Sequence, residues 1–177
     1  MSQDAEIKPR DIQEILNAIV ELTGESLATV QALYEQAKHG ATMAEMFKIP
    51  QESLDAGYVL ACSLFTSGKI HDAEIMFRAL CQYDERQPKN WLGLGCCFEK
   101  QGGYEEAIFC YAHSADLDTS PNPKTLFLLA QCCCAVRRLD AAKKVLSLAV
   151  TVGDSNDPGQ MRYRKLAQEL LSNINAE

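Results

Sequence analysis

The chain has 177 residues, 47% hydrophobic and only 7% aromatic, with 24 acidic against 17 basic side chains and a net charge of −7. That length suits one domain, or one repeat array with terminal additions. The acidic balance, without any Lys/Arg cluster, excludes a phosphate-binding stripe, so no nucleic-acid partner is expected. No apolar run approaches the ~18 residues that span a bilayer. The start of the chain also lacks the basic, apolar and cleavage segments of a signal peptide. No stable membrane insertion and a cytosolic location are therefore expected.

Residues 1–9 are polar, end at Pro9 and are expected to be mobile. From Asp11 to Leu22 the apolar positions Ile12, Ile15, Leu16, Ile19 and Val20 repeat at helical spacing, with Asp11 as the expected N-cap and Gly24 as the stop. A second helix is expected from Ser26 to about Lys38, ended by His39 and Gly40. Thr42 to Lys48 reads as a short helical turn carrying Met43, Met46 and Phe47 ahead of Pro50. Residues 10–50 thus form an N-terminal helical region.

From residue 51 the chain repeats itself. Leu60, Ala61, Leu64, Gly68, Ala73, Phe77 and Leu80 return 34 residues later as Leu94, Gly95, Phe98, Gly102, Ala107, Tyr111 and Ser114. A weaker copy follows 35 residues on: Leu129, Ala130, Cys133, Arg137, Ala142, Leu146 and Ala149. A 34-residue period with small residues at the eighth and twentieth places is the tetratricopeptide (TPR) signature. The fold class is therefore all-α: three helix-turn-helix repeats, about 51–84, 88–118 and 122–152, stacked in a superhelix. The turns are expected at Gly68, at Gly102-Gly103 and, without glycine, at Arg137-Arg138. Pro88 and Pro123 sit where helices tolerate proline, at their first positions. After a polar linker, a helix over about 157–175 with Met161, Leu166, Leu170 and Ile174 is expected to cap the exposed end of the stack.

The repeat assigns faces. In the first helix of each TPR the fourth, seventh, eighth and eleventh positions pack inward: Gly57, Leu60, Ala61 and Leu64, then Trp91, Leu94, Gly95 and Phe98, then Leu126, Leu129, Ala130 and Cys133. The opposite face lines the concave surface, with Asp55, Lys89 and Lys124 at its second position. Its centre holds Tyr58, Cys62, Phe65, Leu92, Cys96, Phe127 and Gln131. A solvated helix face would not carry so many apolar side chains unless something covers them. An apolar segment of another protein is one such cover; terminal helices of the same chain are the other. The lysine- and asparagine-rich clamp by which some TPR domains grip the C-terminal carboxylate of heat-shock chaperones is not built here.

Eight cysteines, Cys62, Cys81, Cys96, Cys97, Cys110, Cys132, Cys133 and Cys134, include no Cys-x-x-Cys pair. They read as small hydrophobes between helices. Cys110 and His113 share a helix face, but two ligands do not make a zinc site. No metal, cofactor or catalytic residue is expected, and an enzyme using Cys and His is the weakest of the rival readings.

The run from Gly68 to Asp84, GKIHDAEIMFRALCQYD, resembles the first repeat of the class II type III secretion chaperones. Gly40 to Pro50, GATMAEMFKIP, is similar to the segment that precedes their repeats. Leu92-Gly-Leu-Gly95 and Tyr104-Glu-Glu-Ala-Ile108 continue the likeness, which spans about residues 38–152. The resemblance implies a bacterial cytosolic chaperone that binds secreted hydrophobic translocator proteins before export and keeps them soluble and apart. It further implies a concave groove that takes a short extended N-terminal segment of the translocator, with Tyr58, Phe65, Leu92 and Phe127 among its contacts. A homodimer formed through the N-terminal helices is also implied, which makes Ile12, Ile15, Leu16 and Ile19 the candidate dimerisation surface. A generic TPR adaptor joining folded proteins is the rival reading on the same fold.

Overall fold

The computed structural model describes residues 9–176, with side chains from residue 13 onward. Within these limits the chain is all-helical: α1 (Pro9–Thr23), α2 (Leu27–Lys38), α3 (Met43–Met46), α4 (Gln51–Thr66), α5 (Ile70–Tyr83), α6 (Pro88–Lys100), α7 (Tyr104–Leu117), α8 (Pro123–Ala135), α9 (Leu139–Thr151) and α10 (Pro158–Ala176). Among the described residues no helix is long and apolar enough to cross a membrane. Of the N-terminal stretch expected to be mobile, residues 1–8 lie outside the described residues and Pro9 opens α1. The chain divides into two compact units, one up to Ile49 and one from Pro50.

In the first unit α1 packs on α2, and α2 on α3. α1 begins at Pro9, two residues ahead of the expected cap Asp11, because proline lacks only an N–H that the first turn leaves unbonded anyway. Ser26 caps α2 by accepting from the Thr29 N–H. Thr42 and Glu45 form a reciprocal capping box on α3: the Thr42 N–H donates to Glu45 Oε2 at 2.8 Å and the Glu45 N–H to Thr42 Oγ1 at 3.3 Å.

The second unit is the repeat stack. α4–α5, α6–α7 and α8–α9 are antiparallel pairs, each packed on the next, and α10 lies on both α8 and α9 as the terminal cap. Pro88 and Pro123 occupy first helical positions, as expected. Every turn inside a repeat closes in the same way. A residue with left-handed backbone, Gly68, Gly102 or Arg137, ends the first helix (φ +80°, +81° and +62°). The following N–H then reaches back five residues: Lys69 to the Leu64 carbonyl at 2.9 Å, Gly103 to Phe98 at 2.9 Å, Arg138 to Cys133 at 2.8 Å. The third repeat keeps the turn without its glycine, at the steric cost of a side chain in left-handed conformation.

Small residues let the helices approach. Ala61, Ala73, Ala107, Ala130 and Ala142 are fully buried. A Cβ on Gly95 would lie 2.6 Å from the Tyr111 ring, so only glycine fits there. Tyr111 is itself fully buried, and its hydroxyl donates to Glu99 Oε2 at 2.6 Å. A second polar tie joins the first two repeats: Gln101 donates to Glu74 Oε2 at 2.9 Å and Arg78 to Oε1 at 2.6 Å. These partners hold the Glu74 carboxyl below the usual carboxylate range, Gln101 most strongly.

Two expectations fail. Leu60, read as a packing residue, is 50% exposed, beside exposed Val59. α4 is the first helix of the stack, so this face has no preceding repeat to pack on. Met161, read as part of the capping stripe, is exposed as well. α10 instead turns Ala167 and Ile174 inward, with Tyr163, Leu166, Leu170 and Leu171 partly buried around them.

The turn geometry makes a prediction. Arg137→Gly relieves the left-handed strain but loosens the unfolded chain, for a net gain of about 0.5–1 kcal/mol. Gly102→Ala should cost a similar amount. Thermal melts followed by circular dichroism should therefore move in opposite directions, by about 2–4 °C per kcal/mol. Equal melting temperatures for Arg137→Gly and wild type would show that the third turn is unstrained.

Candidate functional site

The inward-curving face of the repeat unit carries an open cavity of about 180 Å³ between the first two repeats, with one contribution from the third. α4 supplies Tyr58, Cys62, Phe65 and Thr66; α6 supplies Lys89, Leu92, Gly93 and Cys96; α8 supplies Lys124. These side chains meet because residues three and four apart on a helix share a face and the repeat sets that face side by side in successive helices. Five residues expected at the centre of the groove, Tyr58, Cys62, Phe65, Leu92 and Cys96, thus line one cavity.

Two lining residues were not expected. Phe77 reaches through from α5 and meets the Tyr58 ring edge-on, with centroids 5.9 Å apart. It has room only because Gly93 lacks a side chain; any Cβ there would strike the Phe77 ring. The sequence signal was the pairing of a large aromatic on one helix with a glycine on an adjacent helix, as also joins Tyr111 to Gly95.

Phe127 and Gln131 stand elsewhere. Phe127 is only 8% exposed and packs against Tyr163 of α10, ring centroids 5.9 Å apart. The cap that closes the stack therefore also covers the groove face of the third repeat at this point. Gln131 is exposed and outside the cavity.

The electrostatics suit burial of an apolar guest. Lys89 donates to Asp55 Oδ1 at 3.0 Å, and its ammonium lies 4.8 Å from the centre of the Tyr58 ring. Lys89 and then Gln51 hold the Asp55 carboxyl below its ordinary range. Burial, helped by the neighbouring Cys62, pushes the Tyr58 hydroxyl up to about 12, so the ring is neutral at pH 7. Burial likewise raises Cys96, against the opposing Tyr111 hydroxyl.

Several of the other cysteines are buried core residues. All eight are unbridged thiols. Burial pushes Cys81, Cys97, Cys110 and Cys132 up to about 12, which keeps them protonated and poorly nucleophilic. His113 is engaged by aromatic rings, 4.4 Å from Trp91 and stacked on Phe109 at 6.1 Å. Among the described residues no cluster of His, Cys, Asp or Glu is placed to hold a metal.

The N-terminal unit has an apolar surface of its own. Ile15 is 53% and Ile19 37% exposed, whereas Leu16 is 6% exposed and turned inward; Ile12 lies outside the described side chains. Beside them opens a cavity of about 540 Å³ lined chiefly by apolar groups, including Val30, Leu33, Tyr34, Met46 and Phe47.

Comparison with known proteins places this architecture. The family model "Anaphase-promoting complex, cyclosome, subunit 3" matches residues 66–148, most of the repeat stack. The chain is 36% identical to the low calcium response locus protein H of Yersinia pestis over 112 residues, 63% of this chain and 66% of that protein. A type III secretion complex from Aeromonas hydrophila superposes with a TM-score of 0.76 at 25% identity, covering 82% of this chain and 96% of the matched one. The translocator chaperone SycD of Yersinia enterocolitica is 31% identical, with a TM-score of 0.68 over 76% of this chain and 98% of SycD. SycD has also been solved as an alternative dimer and in complex with a peptide of the translocator YopD, the latter with a TM-score of 0.67 over 72% of this chain and 96% of SycD. A likeness of this identity over nearly the whole of SycD means that the chain belongs to the type III secretion translocator chaperones.

Proposed function

We propose that this protein is a bacterial cytosolic chaperone, with no chemistry of its own, that holds an apolar N-terminal segment of a hydrophobic translocator in the Tyr58–Leu92 cavity until export. The observation that carries this reading is an open apolar cavity lined by Tyr58, Phe65 and Leu92, on the same fold with which SycD binds a YopD peptide. Each Leu-sized side chain buried there contributes about 1.5–3 kcal/mol. Ordering the extended segment offsets part of that gain. The resulting modest affinity suits a client that must be released. While bound, the client's apolar surface is covered and cannot self-associate. Exposed Ile15 and Ile19, with the cavity beside them, form the homodimer surface of the N-terminal unit.

Tyr58→Glu combined with Leu92→Glu should abolish co-purification of a co-expressed translocator, with helicity and melting temperature near wild type. A translocator equally soluble without this protein would leave the adaptor reading standing instead. Because Cys62 lines the cavity whereas Cys97 and Cys132 are buried, iodoacetamide should modify Cys62 ahead of those two. Bound translocator should slow that reaction, as read by peptide mass spectrometry; unchanged Cys62 labelling would place the client elsewhere. A charge at Ile15 or Ile19 should convert dimer to monomer in light scattering, and an unaltered mass would remove that face from the dimer.

A further inference from the structure

The two lysines that line the cavity are not equivalent. Asp55, Lys89 and Lys124 occupy the same place in three successive inner helices, 34 and 35 residues apart. They line the edge of the groove where those helices begin. The first two neutralise each other at 3.0 Å. The series then runs out: the position one period beyond Lys124 falls at Pro158-Gly159, where α10 starts.

Lys124 is half-buried against the cavity and forms no ion pair or side-chain hydrogen bond with any described residue. Glu99, which like Lys124 faces Cys96, is engaged by the Tyr111 hydroxyl at 2.6 Å. A partly desolvated ammonium beside apolar walls attracts an anion more strongly than one in open water. The same edge also carries the positive ends of the helix dipoles.

We infer that Lys124 receives a carboxylate of the client, so that the captured segment carries an Asp or Glu beside the apolar side chains filling the Tyr58–Leu92 cavity. The inference rests on the groove-binding function proposed above. Apolar burial then supplies affinity, while the single ion pair fixes the register in which an otherwise slippery extended segment lies. Because Asp55 already satisfies Lys89, one acid is enough, and its place relative to the apolar anchors is set.

The test uses fluorescent peptides of fixed apolar sequence, alternating Leu, Pro and Val, in which Glu, Gln or Lys scans each remaining position. Binding to the full-length protein is followed by fluorescence polarisation. At one position wild type should prefer Glu over Gln by about three- to tenfold, and the ratio should shrink as salt is raised. Lys124→Gln should bring the ratio to about one, and Lys124→Glu should invert it in favour of Lys. No Glu preference in wild type, or one that survives in Lys124→Gln, with binding still abolished by Tyr58→Glu, would overturn the carboxylate anchor and leave the apolar groove intact. Binding that is absent, or indifferent to Tyr58→Glu, would overturn the groove itself and the anchor with it.

Discussion

Close approach of neighbouring helices, within and between repeats, is the constraint on which the rest of this structure depends. Where Gly95 of α6 meets Tyr111, a single extra carbon would sit 2.6 Å from the ring, and a close-packed interior relieves such overlap only by straining the ring's rotamer or shifting the backbone. The contact brings the second repeat's helices close enough to bury Tyr111 completely and to let its hydroxyl reach Glu99. The Gly93–Phe77 contact does the same between the first and second repeats. Together these two contacts fix how closely α6 sits against α5 and α7, and so place the α6 wall of the cavity.

The cavity follows from that spacing as a by-product of packing. A ring that fills the space left by a glycine presents its edge to the groove, which is how Phe77 becomes part of the floor beneath Tyr58. Packing and binding are therefore not cleanly separated here: the helix pair that stabilises the stack also shapes the apolar surface left open for a guest. The polar ties Glu74–Gln101 and Lys89–Asp55 both cross between the first two repeats.

The C-terminal helix has a double role. Capping a solenoid requires an amphipathic helix whose apolar stripe matches the last repeat, and α10 meets this with Ala167 and Ile174. Its Tyr163 goes further and lands on Phe127, a groove residue by repeat position. The open apolar cavity is thereby lined by the first two repeats, with Lys124 as the third repeat's contribution. On the function proposed above, an apolar channel along all three repeats would select only for hydrophobicity, whereas a short apolar cavity ending in a cation would distinguish one segment from another.

Much of this was legible in the sequence because a TPR is periodic. Once the 34-residue register is known, Ala61, Gly95 and Ala130 must be small, and Tyr58, Cys62, Phe65, Leu92 and Cys96 must share a face. The run from Gly68 to Asp84 pointed further, to the chaperone family. Periodicity reports the interior of a repeat array, and it loses force at the ends. There Leu60 had no earlier repeat to bury it, and the inward stripe of α10 ran through Ala167 rather than Met161. Arg137 shows a different limit: the backbone bonds of the turn outweigh the strain of a non-glycine residue, so the turn persists without its usual residue. By itself the sequence determined the repeats, their faces and the apolar character of the groove, since these depend on local spacing along each helix. Only the tertiary structure decided that Phe127 is covered, that Phe77 joins the floor and that Lys89 is paired while Lys124 is not, because each depends on which distant side chains the stacked helices bring within a few ångströms.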